Sequence, residues 1–288
     1  MKVFEKILCP VDFSENSAKA LLWAEHLSRK FGSELTVLHV LEAYPASVLT
    51  DTSNDFENYQ KAVHANFRDF AAPLQVPFGT MLSIGEPARK IAALAKLLDS
   101  TLIVMGTRGL KGIAHKLLGS VTDHVLRIAD VPVMTVSPQC LVARELSTEH
   151  LLLPVASLDY PPRGYVRLRK IIRELDASVS VLHVVDFKDP MFNSQFDANP
   201  FLVTTYQTVE KKEQLAGLGA KITRKMVDAL IRFGDPATEI LKETETHRCG
   251  YVMMAVHRKT LLSGFLETTA YEVISRSSVP VITVRKNS

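Results

Sequence analysis

Apolar residues are spaced in two alternating patterns along the first half of the chain. Ile7–Val11 is a short apolar run of the kind a strand buried on both faces requires. Asp12-Phe13-Ser14 follows as loop and cap. Ala20, Leu21, Ala24, Leu27 and Phe31 then recur at helical spacing, with Gly32 placed to end the helix. Leu35–Val40 reads as a second strand, Asp55 to about Phe70 as a helix, and Val76–Ile84 as a third strand. Pro87–Leu98 is a helix opening on proline, where a missing N–H costs nothing. Thr101–Met105 is a fourth strand, Ser120–Ile128 a helix and Val131–Val136 a last strand. Near-continuous apolar strands alternating with helices predict an α/β fold, a doubly wound parallel sheet covered on both faces.

The second half repeats the first. Ile7-Leu8-Cys9-Pro10-Val11 returns as Leu151-Leu152-Leu153-Pro154-Val155, and Val37-Leu38-His39-Val40 as Val181-Leu182-His183-Val184, both offset by 144 residues. Gly85-Glu86-Pro87-Ala88 returns as Gly234-Asp235-Pro236-Ala237 at an offset of 149. Val131-Pro132-Val133-Met134-Thr135-Val136 returns as Val279-Pro280-Val281-Ile282-Thr283-Val284 at 148. Four matches in one order identify a duplicated domain. The copies occupy residues 1–140 and 147–288, joined between about Ser137 and Glu149.

Composition adds exclusions. The chain has 288 residues, 47% hydrophobic and 23% charged, which is the balance of a globular protein and not of a disordered or fibrous one. A net charge of +3 is too small to indicate nucleic acid, which calls for a clustered basic face. Cys9, Cys140 and Cys249 are isolated, without zinc spacing or the even count of a disulfide framework. No apolar run approaches the roughly 20 residues of a membrane span, and Met1–Lys6 has no apolar core of a signal peptide. The expectation is a cytoplasmic protein with no nucleic-acid partner.

The segment richest in chemistry is Met105-Gly106-Thr107-Arg108-Gly109, which leads through Leu110–Leu118 to Gly119-Ser120-Val121-Thr122. Glycines between a strand end and a helix start let backbone N–H groups approach an anion, and the helix dipole adds attraction. Ser120 and Thr122 offer hydroxyls; Arg108, Lys111, His115 and Lys116 offer positive charge. A structural alternative stands beside this: the glycines shape a turn, and Ser120 with Asp123 forms a capping box. Among other nucleotide signatures, no G-x-G-x-x-G follows the first strand, and neither a P-loop nor a nucleophile elbow occurs.

Gly106-x2-Gly109-x9-Gly119-Ser120 resembles the ATP-binding signature of the universal stress protein family, and the strand order of both halves agrees with it. Pro10-Val11-Asp12, Val40 and the Gly85-Glu86-Pro87 turn match as well. The resemblance implies a tandem member, with an adenine nucleotide alpha hydrolase-like sheet of order 3-2-1-4-5. The crevice of such a sheet opens where its winding reverses, between strands one and four. It also implies residue roles: Pro10, Val11, Asp12 and Val40 around adenine and ribose, with Asp12 accepting from a hydroxyl. Met105 lines an apolar wall. Gly106, Arg108, Gly109, Gly119, Ser120, Val121 and Thr122 hold ribose and phosphates, with magnesium or manganese on the phosphates. The alternative for Asp12 is a helix N-cap.

The second copy lacks the signature. About Met254-Ala255-Val256-His257-Arg258 stands where Met105–Gly109 does, Glu267 and Thr268 fall on Gly119 and Ser120, and Ala156 on Asp12. A carboxylate about 4 Å from a phosphate charge costs ~4 kcal/mol at an effective dielectric of 20. The second half is therefore expected not to bind ATP through this motif. Family members of one domain pair as dimers, which implies an intrachain domain pair here and leaves a further homodimer open. His247, Cys249 and His257 read as incidental rather than a zinc site, and His39 and His183 as strand histidines. Phe187–Phe201 is an aromatic-rich stretch, either a partner- or lipid-facing lid or a loop with apolar anchors. The leading function is ATP held as a structural or signalling ligand. A protein- or lipid-interaction scaffold and a weak ATPase stay open.

Overall fold

Residues 2–42, 53–109, 118–141, 149–156, 166–186, 200–256 and 268–285 are described by a computed structural model of the protein. The chain divides into two units, Met1–Pro138 and Gln139–Ser288. In the first, β1 (Lys6–Pro10) leads to α1 (Glu15–Phe31), β2 (Glu34–Leu41), α2 (Ser53–Ala71) and β3 (Phe78–Ile84). There follow α3 (Pro87–Leu97), β4 (Leu102–Gly106), α4 (Ser120–Ile128) and β5 (Val133–Val136). Every pairing is parallel, and the strand order within the unit is β3-β2-β1-β4-β5, the 3-2-1-4-5 order expected.

Burial follows from that order. Ile7, Leu8 and Cys9 of β1 and Leu102, Ile103 and Val104 of β4 are central and fully buried. β3 lies at the edge and keeps Phe78 and Ile84 exposed. Helix α1 covers the sheet with Ala20, Leu21, Trp23, Ala24 and Leu27, and ends on Gly32 in the left-handed region. Two strands start two residues later than the apolar runs predict, β3 at Phe78 and β5 at Val133. Each start follows a proline, Pro77 or Pro132, which has no N–H for the ladder. Pro132 still contributes its carbonyl, which accepts from Ile103 N at 3.0 Å.

The second unit repeats this plan with β6 (His150–Pro154), α5 (Val166–Leu175), β7 (Ser178–Val185), α6 (Pro200–Ile222) and β8 (Met226–Phe233). It ends with α7 (Pro236–Thr246), β9 (Tyr251–Val256), α8 (Thr268–Arg276) and β10 (Val281–Arg285), in the order β8-β7-β6-β9-β10. Most of Phe187–Phe201 lies outside the described residues; its last two residues, Pro200 and Phe201, open α6. Among the described residues no helix is long and apolar enough to cross a membrane.

Two repeated devices explain repeated residues. Gly85 and Gly234 have φ of 137° and 143°, which side chains rarely adopt, and each turns the chain from an edge strand into a proline-led helix. The acidic residue after each glycine caps that helix: Glu86 accepts from Ala88 N and Arg89 N, and Asp235 from Thr238 N. His39 donates its ring N–H to Val11 O at 2.7 Å, and His183 to Val155 O at 3.0 Å. These histidines pin the loop after the first strand of each copy to the second.

Candidate functional site

The chain winds outward from β1 through β2 to β3, then returns to the other side of β1 as β4 and continues to β5. The carboxyl ends of β1 and β4 therefore flank the place where winding reverses, with Ile7 opposite Leu102 in the ladder. Both segments singled out in the sequence, Pro10–Ser14 and Gly106–Gly109, leave the sheet at those ends.

In the first segment Val11 is held on both sides: its N–H donates to Leu38 O at 2.8 Å, and its carbonyl accepts from His39. Asp12 is not the helix cap. That role falls to Ser14, whose hydroxyl accepts from Ser17 N at 3.2 Å. Asp12 Oδ1 accepts from Ser14 N at 3.1 Å and from the Ser14 hydroxyl at 2.6 Å, so it orients the cap. Its Oδ2 lies so close to Gly109 that a side chain there would overlap it, which brings the two segments together. Phe13, between them, has φ of 63°. Its ring is packed on His39 at 4.5 Å, Phe70 at 5.4 Å and Phe67 at 5.5 Å, which retains a backbone conformation that costs about 1–3 kcal/mol.

The glycine segment has three consecutive carbonyls tied back. The Thr122 hydroxyl donates to Gly106 O at 2.8 Å, Gly119 N to Thr107 O at 2.7 Å, and Asn16 Nδ2 to Arg108 O at 3.2 Å. In a trans peptide the N–H points opposite to the C=O. Anchoring these carbonyls consequently turns the Arg108 and Gly109 N–H groups away from the anchors, while Thr107 N is taken by Val136 O at 2.9 Å. Glycine at 106 is a matter of space: a Cβ there would meet Asn16 Nδ2 at 2.7 Å and Asn16 O at 3.1 Å. At 119 it would meet Thr107 O at 3.2 Å.

Helix α4 begins without a side-chain cap. Gly119 is its N-cap and Ser120 its first residue, so the Ser120–Asp123 capping box does not form. Asp123 instead pairs with Arg127 one turn along, at 3.0 and 3.1 Å. The first N–H groups of a helix have no partner within it, and the N-cap Gly119 has no side chain with which to cap them. Ser120 is exposed, Val121 half-buried, and Thr122 buried with its proton on Gly106. Pro10, Val11 and Met105 are buried and Val40 half-buried. Arg108 is half-buried with Nε unpartnered; Asn16 Oδ1 and Thr107 Oγ1 are also buried without partners. Lys111, His115 and Lys116 lie outside the described residues.

Asn16 has no place in the glycine motif, and the motif search does not reach it. Its signal is a polar residue on an apolar stripe: it precedes Ala20 and Ala24 at four-residue spacing on the buried face of α1.

Strand register aligns the two units. Ile7 faces Leu102 as Leu151 faces Tyr251, and Gly106 faces Val136 as Ala255 faces Val284. Ala255 thus takes the ladder position of Gly106, and one residue fewer joins the last two strands of the second unit. His257, Arg258 and Glu267 are outside the described residues, as is the side chain of Thr268. His247 Nε2 meets Glu243 Oε2 at 3.1 Å, and Glu243 is bound by Arg232 at 2.7 and 3.0 Å. Burial, assisted by Glu243, pushes the Cys249 thiol up to about 12. Among the described residues no three His, Cys, Asp or Glu side chains gather as metal ligands.

The model of the universal stress protein family matches residues 4–137 and again 148–285. Universal stress protein YxiE of Bacillus subtilis is 32% identical over 147 residues, which is 46% of this chain and 99% of that protein. Universal stress protein MJ0531 of Methanocaldococcus jannaschii is 30% identical over 141 residues, 46% of this chain and 82% of that protein. In fold, the chain is similar to a universal stress protein from Archaeoglobus fulgidus known from its crystal structure. The TM-score is 0.67 at 19% identity, over 99% of this chain and 98% of the other.

Proposed function

The chain belongs to the universal stress protein family, and from that premise we propose that its first unit binds ATP at the glycine loop, as a structural or signalling ligand in a stress response. The observation that carries this reading is the conjunction at one crevice of three tied-back carbonyls and a helix start with no side-chain cap. Hydrogen bonds from backbone N–H to a charged group contribute about 1.5–3 kcal/mol each. A few, aimed at a phosphate chain, account for useful affinity.

In this reading Pro10, Val11, Val40 and Met105 supply the surface for adenine, and Asp12 the acceptor for a ribose hydroxyl. Gly106, Arg108, Gly109, Gly119, Ser120, Val121 and Thr122 surround the phosphates. Magnesium or manganese would be held mainly by phosphate oxygens. The second unit, with Ala255 in the Gly106 position, is read as not binding ATP. Three buried cysteines outside any disulfide suit a cytoplasmic location.

The test is titration of the purified full chain with ATP, alongside native mass spectrometry of what co-purifies. One adenine nucleotide per chain is the expected result. A chain that carries none and binds no ATP at millimolar concentration refutes the reading.

A further inference from the structure

We propose that Asn16 is a positioning residue of the glycine loop: by holding the Arg108 carbonyl it sets the direction of the Gly109 N–H, and through it the phosphate-dependent share of nucleotide affinity. The proposal rests on the ATP reading of this crevice.

Of the three anchored carbonyls, those of Gly106 and Thr107 are held from α4 and its cap, by Thr122 and Gly119. The Arg108 carbonyl is held from a different element, the first turn of α1, by Asn16 Nδ2 at 3.2 Å. That bond acts on the peptide joining Arg108 to Gly109. With the carbonyl directed at α1, the Gly109 N–H faces the other way. A free peptide at a glycine would sample both orientations, since glycine lacks the Cβ that biases it. Asn16 removes that freedom at the residue whose N–H an anion needs.

Three further observations favour this role over simple packing. Asn16 is 8% exposed, yet its Oδ1 has no partner. A residue kept only to fill the face shared with Ala20 and Ala24 would not carry an unmet acceptor there, because burying one is unfavourable. Next, Gly106 leaves the room Asn16 occupies, since a Cβ at 106 would meet Nδ2 at 2.7 Å. Lastly, the second unit has Ala255 at that ladder position, so the position left bare for the amide in the first unit carries a methyl group in the second. Asparagine and glycine therefore form one device.

The experiment uses the full chain with Asn16→Ala, which removes the donor without adding charge and from which the ATP-to-adenosine comparison is read, and Asn16→Asp, which keeps the shape but adds a carboxylate that itself repels phosphate. Affinities for ATP and adenosine are measured, together with NMR amide exchange at Arg108 and Gly109 without ligand. The expected result is a five- to ten-fold weaker ATP affinity, roughly that of one net hydrogen bond, with adenosine changed less than about two-fold, and faster exchange at Gly109. Equal losses for ATP and adenosine would show a general structural role and overturn the proposal, as would unchanged exchange in both variants. If the parent binds neither ligand, the ATP reading fails by itself, and the exchange measurement still decides whether Asn16 positions the loop.

Discussion

Replacing Ser120 by glutamate should weaken ATP binding while leaving the fold as stable or slightly more so. Ser120 is exposed, opens α4 and caps nothing, so its side chain can be changed without removing a fold contact. A carboxylate in the first turn of a helix interacts favourably with the dipole, by about 0.3–1 kcal/mol. The same carboxylate opposes a phosphate held by the N–H groups of that turn. At about 4 Å the repulsion is ~1 kcal/mol per charge pair in bulk water and ~4 kcal/mol at an effective dielectric of 20. Because Ser120 faces solvent, the lower part of that range applies, about 1–2 kcal/mol, or a five- to thirty-fold loss of ATP affinity.

The assay is calorimetric titration of parent, Ser120→Ala and Ser120→Glu chains with ATP and adenosine, beside thermal unfolding. Ser120→Ala separates loss of the hydroxyl from gain of the charge. Adenosine, which lacks phosphates, should bind all three alike, and added salt should reduce the effect on ATP. A Ser120→Glu chain that gains thermal stability yet binds ATP as the parent does would refute a phosphate at this helix start. Substitution at Gly106 is a poorer probe: its Cβ would meet Asn16 at 2.7 Å, so a lost affinity there would mix repacking with repulsion.

Other consequences concern the scaffold. Glu86→Ala should cost about 1 kcal/mol in urea unfolding. Burial pushes the Glu86 carboxyl up, but the N–H groups of Arg89 and Ala88, with His124 and Arg89 charge, hold it below the usual range. That stabilisation is present above the ordinary carboxylate pKa and lost as pH falls through the folded one, so parent and variant should converge in acid. Cys9, Cys140 and Cys249 are buried, and burial raises the pKa of Cys9 and Cys249. A thiol reagent at mild alkaline pH should modify none in the native chain and all three in denaturant; stoichiometric native labelling would contradict this burial. Burial, then the neighbouring His247, lowers the pKa of His150 against an opposing pull from Asp228. Its neutral form favours folding above the ordinary imidazole pKa, and that contribution is lost as pH falls through the folded value. His150→Gln should thus flatten the fall of the unfolding midpoint on acidification from about pH 7.5 to about pH 5; a slope as steep as the parent's would remove His150 as its source.

Much of this fold was legible because its strands are buried on both faces and read as unbroken apolar runs. Ile7–Val11 and Leu35–Val40 predict β1 and β2 to within a residue at either end, and Ser120–Ile128 is the observed α4. Strand starts were less legible, because Val76 and Val131 are as apolar as the strands they precede; what excludes them is the missing N–H of the following proline. At the site, spacing located the glycines but not their partners. Whether Asp12 or Ser14 caps α1 depends on a turn that either polar residue flanking Phe13 could make. The Ser120–Asp123 box failed for a similar reason: Gly119 takes the cap position, and Asp123 has Arg127 within reach. Asn16 could not be found through the motif, since its bond to Arg108 spans 92 residues.

Comparison of the copies separates what holds the fold from what shapes the crevice. Both units keep the histidine that binds the carbonyl after the first strand, the positive-φ glycine before a proline-led helix, and the acidic cap between them. Each serves the scaffold wherever it occurs, whatever the crevice holds. The Gly106 position differs, and the distances say why the difference is tolerated: the glycine is demanded by Asn16 at 2.7 Å, not by its own backbone conformation. In the second unit Ala255 stands at that ladder position and β9 runs on to Val256. Gly106→Ala in the first unit should accordingly be better tolerated in an Asn16→Ala background than alone. A double-mutant cycle on urea unfolding measures this coupling, which for residues in contact runs to about 0.5–3 kcal/mol. Strict additivity would mean that glycine at 106 answers to the Asn16 backbone, whose carbonyl oxygen would lie 3.1 Å from the same Cβ, and not to the amide.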